Sequence, residues 1–490
     1  MKRLTSFGTF FLVLLITGSV FASGVALTGI GARATALGGN FRGIANDWSA
    51  MFWNPAGIAQ IKGFHVGGSF ELIMPGAKYT LTQNIPPFSV YKTEEFENEP
   101  KTFPIPAAGF VYGTEKMSFG LSVFAPFGLG AEWDAMNTTA YNSAYPEFEF
   151  EDDLKVIDIH PTFAYQINDK LSVGLGFSFV ITDILIRKPT TTPNALIFDP
   201  QLEQLRGMLQ QMQLTNLFSE NFNHILTDTE LKGDGTNFGF NFGLKYNITE
   251  DLSFGLSGNY YNDVALDGKV TANTYGAQID QTTFAGYKGV LDQMLAGGLV
   301  TADQYQQLLG IYSGQKIPKY DKAKGDATLP VPMTIGAGLA FTGIENLLVS
   351  ADVSWTQWSK WDVIDIELEN GDKMELVEDW DDAIRFGVGL EYKVMELLKL
   401  RAGYYTEPTA IPDQTLTITI PDVNRRHAIS LGASYCLGPL SLFASYEKIL
   451  IGDRTVDTWE YNAAALGYDN MAGAYKMNVD NIMFGLGYNF

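Results

Sequence analysis

The chain has 490 residues and a formal net charge of −22, with 46% apolar, 13% aromatic and only 18% charged residues. A mean hydropathy of +0.01 is too low for a bundle of membrane helices, and beyond the first 25 residues no apolar run approaches the ~20 residues that a spanning helix needs. The acidic balance excludes nucleic acid as a partner, because neutralising phosphates takes clustered Lys and Arg, and the single Cys436 excludes a disulfide scaffold.

Taken from the N-terminus, Lys2 and Arg3 precede an apolar stretch from Phe7 to Phe21 that ends in Val20-Phe21-Ala22. A basic start, an apolar middle and a small-residue end make a secretory signal. Cleavage is expected after Ala22, so residues 1–22 drop out of the fold. The alternative is an uncleaved anchor helix, but the run is short for a span. Residues 23–62 carry no strand pattern. They pass through Gly31-Ala32-Arg33, Leu37-Gly38-Gly39, Ala45-Asn46-Asp47 and Asn54-Pro55-Ala56-Gly57. Small residues let backbones approach closely, and Pro55 biases Asn54 toward an extended turn. A segment so short, apolar and poor in charge is expected as a plug inside a lumen rather than as a disordered tail.

From residue 63 onward the period is two. Ile384, Phe386, Val388, Leu390 and Tyr392 alternate with Arg385, Gly387, Gly389, Glu391 and Lys393. One face is greasy and the other is Gly and charge, as in a strand with lipid on one side and a polar lumen on the other. A soluble sandwich would show Lys, Glu and Thr where this polar face has Gly, Ser and Asn. Fourteen such strands are predicted near 63–74, 104–113, 117–126, 154–167, 171–186, 233–248, 252–264, 329–342, 346–359, 380–393, 397–407, 424–437, 439–451 and 479–490. Tight joints such as 114–116, 168–170 and 249–251 alternate with long connections: 75–103, 127–153, 187–232, 265–328, 360–379, 408–423 and 452–478. Short turns at one end and long loops at the other describe an all-β, 14-stranded antiparallel transmembrane β-barrel of a bacterial outer membrane, with residues 63–490 as the barrel.

Two long loops read as partly helical. In 187–232, Asp199 caps and Pro200 opens a helix that places Leu202, Leu205, Leu209 and Met212 on one face. In 265–328, Thr301 and Gln304 form a capping box ahead of Tyr305, Leu308 and Leu309, with Leu291 and Met294 upstream. These faces either pack on one another over the barrel mouth or leave a groove for an apolar ligand. In the third strand Ala125-Pro126-Phe127-Gly128 marks either a kink or the ordinary strand end: Pro126 has no ladder donor and Gly128 tolerates a bulge.

These residues resemble the FadL-type outer-membrane transporters of long-chain fatty acids and aromatic hydrocarbons. The resemblance is carried by Gly31-Ala32-Arg33, Leu37-Gly38-Gly39, Ala45-Asn46-Asp47 and Asn54-Pro55-Ala56, then by Phe127-Gly128-Leu129-Gly130. It continues through Leu329-Pro330, Trp355 with Trp358-Ser359, Trp380, Arg401-Ala402-Gly403-Tyr404, Ile420-Pro421-Asp422 with Arg425-Arg426, and Phe490. It implies a fourteen-stranded barrel with a hatch over 23–62, in which Gly38, Gly39, Asp47, Asn54, Pro55 and Ala56 form the signature. It also implies capture at external loops, an apolar pocket in the lumen and lateral release at a kinked third strand, here Pro126, Phe127 and Gly128. The family's pocket-lining side chains lie outside these motifs and do not carry over.

A long chain gains roughly 0.8 kcal/mol per methylene on leaving water, so a greasy relay suits it better than an aqueous bore. Long-chain fatty acid is the expected cargo and monoaromatic hydrocarbon the alternative. A non-specific porin or an adhesive barrel is the alternative of another class. Lys316, Lys319, Lys322 and Lys324 crowd the approach to the eighth strand, and Lys316 and Lys319 are the candidates to meet a ligand carboxylate or a lipopolysaccharide phosphate. Four such lysines are more often simply a solvated loop. Arg385 and Arg401 are expected to pair with inward acids such as Glu391 and Asp352. His65, His160, His224 and His427 are scattered and show no metal-ligand spacing, so neither an enzyme nor a metal or cofactor is expected. The chain is expected as a monomer surrounded by outer-membrane lipid and lipopolysaccharide.

Overall fold

The computed structural model describes residues 24–27, 29–81, 95–136, 148–219, 222–420, 422–462 and 467–490; the expected signal segment lies outside them. Fourteen strands form the wall: β1 (Gly63–Thr80), β2 (Phe103–Gly113), β3 (Met117–Phe124), β4 (Phe148–Gln166), β5 (Leu171–Pro193), β6 (His224–Asn247), β7 (Leu252–Tyr261), β8 (Thr334–Ile344), β9 (Leu347–Thr356), β10 (Ala383–Met395), β11 (Leu398–Glu407), β12 (Arg426–Leu437), β13 (Leu440–Val456) and β14 (Gly473–Asn489). Each pairs antiparallel with its neighbour, and β14 returns to β1 over His65↔Asn489 to Thr80↔Ala474, which closes the barrel. Among the described residues no helix is long and apolar enough to cross a membrane; the strands do the crossing.

Alternation explains the wall. Phe177, Phe240, Phe386, Leu431 and Phe484 point outward, each about half exposed, an apolar surface far larger than a water-soluble monomer tolerates. The turns at one end are short and locally satisfied. Asn168 Oδ1 accepts from the amides of Lys170 (2.9 Å) and Leu171 (3.0 Å), and Gly438, at φ +60°, opens the two-residue turn Gly438-Pro439 from β12 to β13.

At the other end the structure extends beyond the sequence reading. β5 and β6 have 23 and 24 residues. At about 3.3 Å per residue these strands run roughly 75 Å, far beyond a hydrocarbon core of about 30 Å even when tilted. The expected connection 265–328 opens and closes as strands, Val264–Tyr275 pairing with Lys316–Leu329. The connection 360–379 holds a second hairpin, Val363–Leu368 with Lys373–Val377. These strands stand outside the membrane, so neither face needs the lipid-facing apolar pattern that marked the other fourteen.

The helices sit among these extensions: Glu203–Gln211, Gln281–Ala296 and Ala302–Ile311. Thr301 and Gln304 do form a capping box, with reciprocal bonds of 3.2 and 2.9 Å.

Residues 29–62 fold inside the ring as short turns, with helices Ala32–Ala36 and Ala50–Trp53 and a 3₁₀ turn Pro55–Gln60. Ile30, Leu37, Phe41, Trp48, Met51 and Ile58 form a small core that touches inward Ala107, Val111, Phe124 and Ala164 of the wall. The glycines of the inner face make room for it. A Cβ on Gly174 would lie 2.3 Å from the carbonyl carbon of Pro55, and one on Gly255 would lie 2.0 Å from the carbonyl oxygen of Arg42.

Candidate functional site

The lumen segment is tied to the wall by buried polar contacts. Asn54 is fully buried. Its Oδ1 accepts from Ala56 N (3.2 Å) and its Nδ2 donates to the carbonyls of Arg42 (3.0 Å) and of Leu244 on β6 (3.1 Å). Pro55 holds the first turn against Gly174. Asp47 Oδ1 accepts from the amide and hydroxyl of Ser49. Gly38 and Gly39 take φ of +64° and +69°, and the carbonyl of Gly38 receives Arg385 Nη2 at 2.7 Å. Arg42 reaches Asp352 on β9 at 3.3 Å, and Arg33 and Arg401 converge on Glu391 at 2.9 and 2.8 Å. The expected pairing of Arg401 with Glu391 is present. Arg385 does not pair with an inward acid as expected: Asp352 takes Arg42 instead, and Arg385 donates to the carbonyl of Gly38.

The third strand breaks where Pro126 stands. β3 pairs with β4 up to Phe124↔Asp158, and pairing resumes at Gly128↔Lys155 in the segment Gly128–Met136. Three residues on one strand therefore oppose two on the other, which is a bulge. On the opposite flank the ladder between β2 and β3 ends at Ala108↔Val123, leaving Phe103–Ala107 without a β3 partner. That stretch contains Pro104 and Pro106, which, like Pro126, have no N–H to donate. The wall closes again above, where Glu99 N donates to Glu132 O at 2.8 Å and Lys101 pairs with Glu132.

The N-terminal residues occupy the inside of this gap. Leu27 N donates to Pro126 O (2.9 Å) and Gly128 N donates to Val25 O (2.8 Å), with Ala26 bridged to Phe127. Gly24 N donates to Asp422 Oδ2 at 3.2 Å. Asp422 also receives Arg426 Nε and Nη2 at 2.9 and 2.5 Å. The resemblance motif around Asp422 is thus an anchor for the backbone at Gly24.

Behind Phe127 lies a small apolar pocket of about 330 Å³, a figure that includes space open to solvent, lined by Val25, Val156, Val180, Tyr261, Val264 and Val331 among others. A larger pocket of about 790 Å³, which includes space open to solvent, lies toward the external end. Ile184, Ile186, Leu231, Leu266, Val270, Ile364 and Ile366 line it, and the two loop hairpins supply much of that lining. Leu154, Leu329 and Trp361 line both pockets, so the two spaces are neighbours.

Three acidic residues line the greasy outer pocket: Asp152, Asp153 and Glu378. Asp153 pairs with Lys155 at 2.5 Å on the outward side of β4, which leaves the carboxyls of Asp152 and Glu378 inside. Along β4 the outward residues run Tyr165, Phe163, Ile159, Ile157 and then Lys155, Asp153, Glu151, so the strand leaves the lipid belt before Asp152. Burial, with the neighbouring Glu151 charge, pushes Asp152 up to about 7, partly offset by a Thr419 hydrogen bond and Lys188. Burial and the nearby Asp152 push Glu378 up to about 7, against the pull of Lys188. Neither acid was singled out by the sequence reading as a pocket residue.

The helical loop faces come together. Leu205, Leu209, Leu291, Met294, Tyr305 and Leu308 are buried in one cluster, with Leu202 and Leu309 partly buried against it. Met212 is exposed. None of these lines either pocket. Lys316 and Lys319 lie exposed on the outer hairpin, Lys319 over the ring of Tyr320 at 5.3 Å, and likewise line neither pocket. His160 and Asp158 both meet Ser178, His160 through Nδ1 at 2.9 Å. The histidine's other ring nitrogen has no partner, so the relay order of a nucleophilic triad is not formed.

The family model described as outer membrane protein transport protein (OMPP1/FadL/TodX) matches residues 13–490. The long-chain fatty acid transport protein of Escherichia coli K12 is 23% identical over 66% of this chain and 64% of its own length, so the match spans a little under two thirds of that relative. Outer membrane protein P1 of Haemophilus influenzae Rd is 24% identical over 66% of this chain and 61% of its own. A Pseudomonas aeruginosa FadL homologue of known structure has a TM-score of 0.70 at 18% identity, covering 95% of this chain and 100% of its own. The Pseudomonas putida toluene transporter TodX has 0.63 at 17%, covering 95% and 99%. These structural likenesses speak for the fold. The chain belongs to the OMPP1/FadL/TodX family of transport proteins and is a β-barrel of the bacterial outer membrane.

Proposed function

We propose that this barrel takes up hydrophobic small molecules passively, with long aliphatic molecules such as fatty acids as the leading cargo. A molecule is captured among the external loops and enters the outer pocket. It then moves past Trp361 into the pocket behind Phe127 and leaves sideways through the gap between β2 and the broken third strand. The observation that supports this reading is the shared lining by Leu154, Leu329 and Trp361, which sets the two apolar spaces side by side, with Phe127 of the wall gap lining the inner one. Residues 29–62 act as the hatch that closes the vertical route, which argues for a stoppered transporter and against an open porin. Val25–Leu27 must leave the gap for cargo to pass. Downstream consumption pulls the cargo inward, and the protein works as a monomer among outer-membrane lipid and lipopolysaccharide.

The fold is also shared with the P. putida toluene transporter, so monoaromatic hydrocarbon is the second reading. The test is to purify the protein in mild detergent, identify co-purified ligand by mass spectrometry, and compete it with fatty acids and with toluene. Displacement by a long aliphatic compound at lower concentration than toluene supports the first reading; the reverse order supports the second. A large, steady single-channel current would overturn both.

A further inference from the structure

The outer pocket contains a chemical oddity for a greasy cavity. Asp152 is 4% exposed, and its Oδ1 has no hydrogen-bond partner. It shares an inward face with Leu154, and both line the outer pocket. Glu378 enters from the loop on the other side, held by Trp380 Nε1 on Oε2 at 3.0 Å, and it lies close enough to Asp152 to feel its charge. A buried oxygen without a donor costs about 1–3 kcal/mol, a cost that a donor on a molecule entering this pocket would remove.

The charges around the pair are Lys188 on β5, Asp469, and Glu151 beside Asp152. Lys232 and Lys269 line the pocket but are exposed at its rim, Lys232 being paired with Glu230. The interior is therefore acidic on balance. We propose that Asp152 and Glu378 receive the polar end of the cargo, so that the outer pocket selects hydrophobic chains ending in a hydrogen-bond donor, an amine or a hydroxyl, over chains ending in a carboxylate. This rests on the outer pocket being the cargo site. Bringing a third carboxylate beside two in an apolar cavity is opposed by both desolvation and like charge, whereas an ammonium or hydroxyl supplies the donor that Asp152 Oδ1 lacks. A fatty acid would enter this pocket as the protonated acid.

The test is a matched ten-carbon series, decylamine, decanol and decanoate, titrated at pH 8 into the protein in zwitterionic nanodiscs, with empty nanodiscs subtracted. Decylamine and decanol are expected to bind at least tenfold more tightly than decanoate. In the Asp152→Asn/Glu378→Gln double variant, decanoate is expected to gain at least tenfold and decylamine to lose as much. Decanoate less than tenfold weaker than decylamine on the unmodified protein would overturn the proposal while leaving the uptake reading intact. No binding of any of the three above empty nanodiscs would overturn both.

Discussion

Replacing Asp352 by alanine tests whether the lumen is stoppered by design. Arg42 is 6% exposed. Asp352 Oδ2 accepts from Arg42 N at 3.1 Å and from Arg42 Nη1 at 3.3 Å. Without the carboxylate, Arg42 keeps Ser257 Oγ on Nε (3.2 Å) and the ring of Trp53 (5.7 Å), but it also faces the like charge of Arg385. Removing one partner of a buried pair strands the other charge and costs about 3–5 kcal/mol. At about 1.4 kcal/mol per tenfold, release of the hatch becomes roughly a hundred to several thousand times more frequent. Hydrogen exchange of amides in 41–61, in nanodiscs, should accelerate by at least a hundredfold while the β1–β14 seam stays protected. Planar-bilayer recordings should show brief openings that the unmodified protein lacks. Exchange within threefold of the unmodified protein, together with a silent bilayer, would refute the reasoning, because the segment would then be held by something other than this pair.

Other perturbations follow from the same geometry. Gly174→Val places side-chain atoms against the backbone of Pro55; it should push the hatch off the wall and accelerate exchange in 54–60, whereas the same change at Gly207, which has nothing within 4 Å, should not. Trp361→Ala, at a residue 4% exposed between the two pockets, should cost about 3–5 kcal/mol of loop stability, seen as a lowered melting temperature of the external region. Asp152 and Glu378 have folded-state values near 7, above those of the unfolded chain. Their contribution is present in full below about pH 4 and is lost as pH rises through 7. For Asp152 the rise from 3.8 to about 7 corresponds to at most about 4 kcal/mol. Protection of the loop hairpins, corrected for the intrinsic rise of amide exchange with pH, should fall between about pH 4 and 7 and level off above, and the double variant Asp152→Asn/Glu378→Gln should flatten that response.

The fourteen wall strands were legible because lipid imposes a strict alternation, and because the opposite face had to be Gly, Ser and Asn. The reason for that small-residue face became visible only with the hatch against it at Gly174 and Gly255. The external strands Val264–Tyr275 and Lys316–Leu329 left no such trace, since water accepts either face. Pro126 marked the kink, but Pro104 and Pro106, which line its other flank, sat inside an alternating run and read as ordinary strand. Three residues such as Val25–Leu27 have no period to read, and their pairing with Phe127 is a contact a hundred residues away in sequence. Asp152 hid in the run Glu151-Asp152-Asp153, which looks like solvated charge. Its parity with Leu154 and Val156 was the available signal that it points inward.

Lateral exit past Phe127 is tested most directly by stapling the chain start across the gap. Ala26 and Phe127 form a non-hydrogen-bonded antiparallel pair, flanked by the bonds Leu27 N to Pro126 O and Gly128 N to Val25 O. Such pairs place Cα atoms about 4.5 Å apart, within reach of a disulfide. Ala26→Cys/Phe127→Cys, in a Cys436→Ser background that removes the free thiol, should when oxidised still bind a hydrophobic ligand but fail to deliver it to cells. Delivery should return on reduction. Equal uptake by the oxidised and reduced proteins would contradict the account.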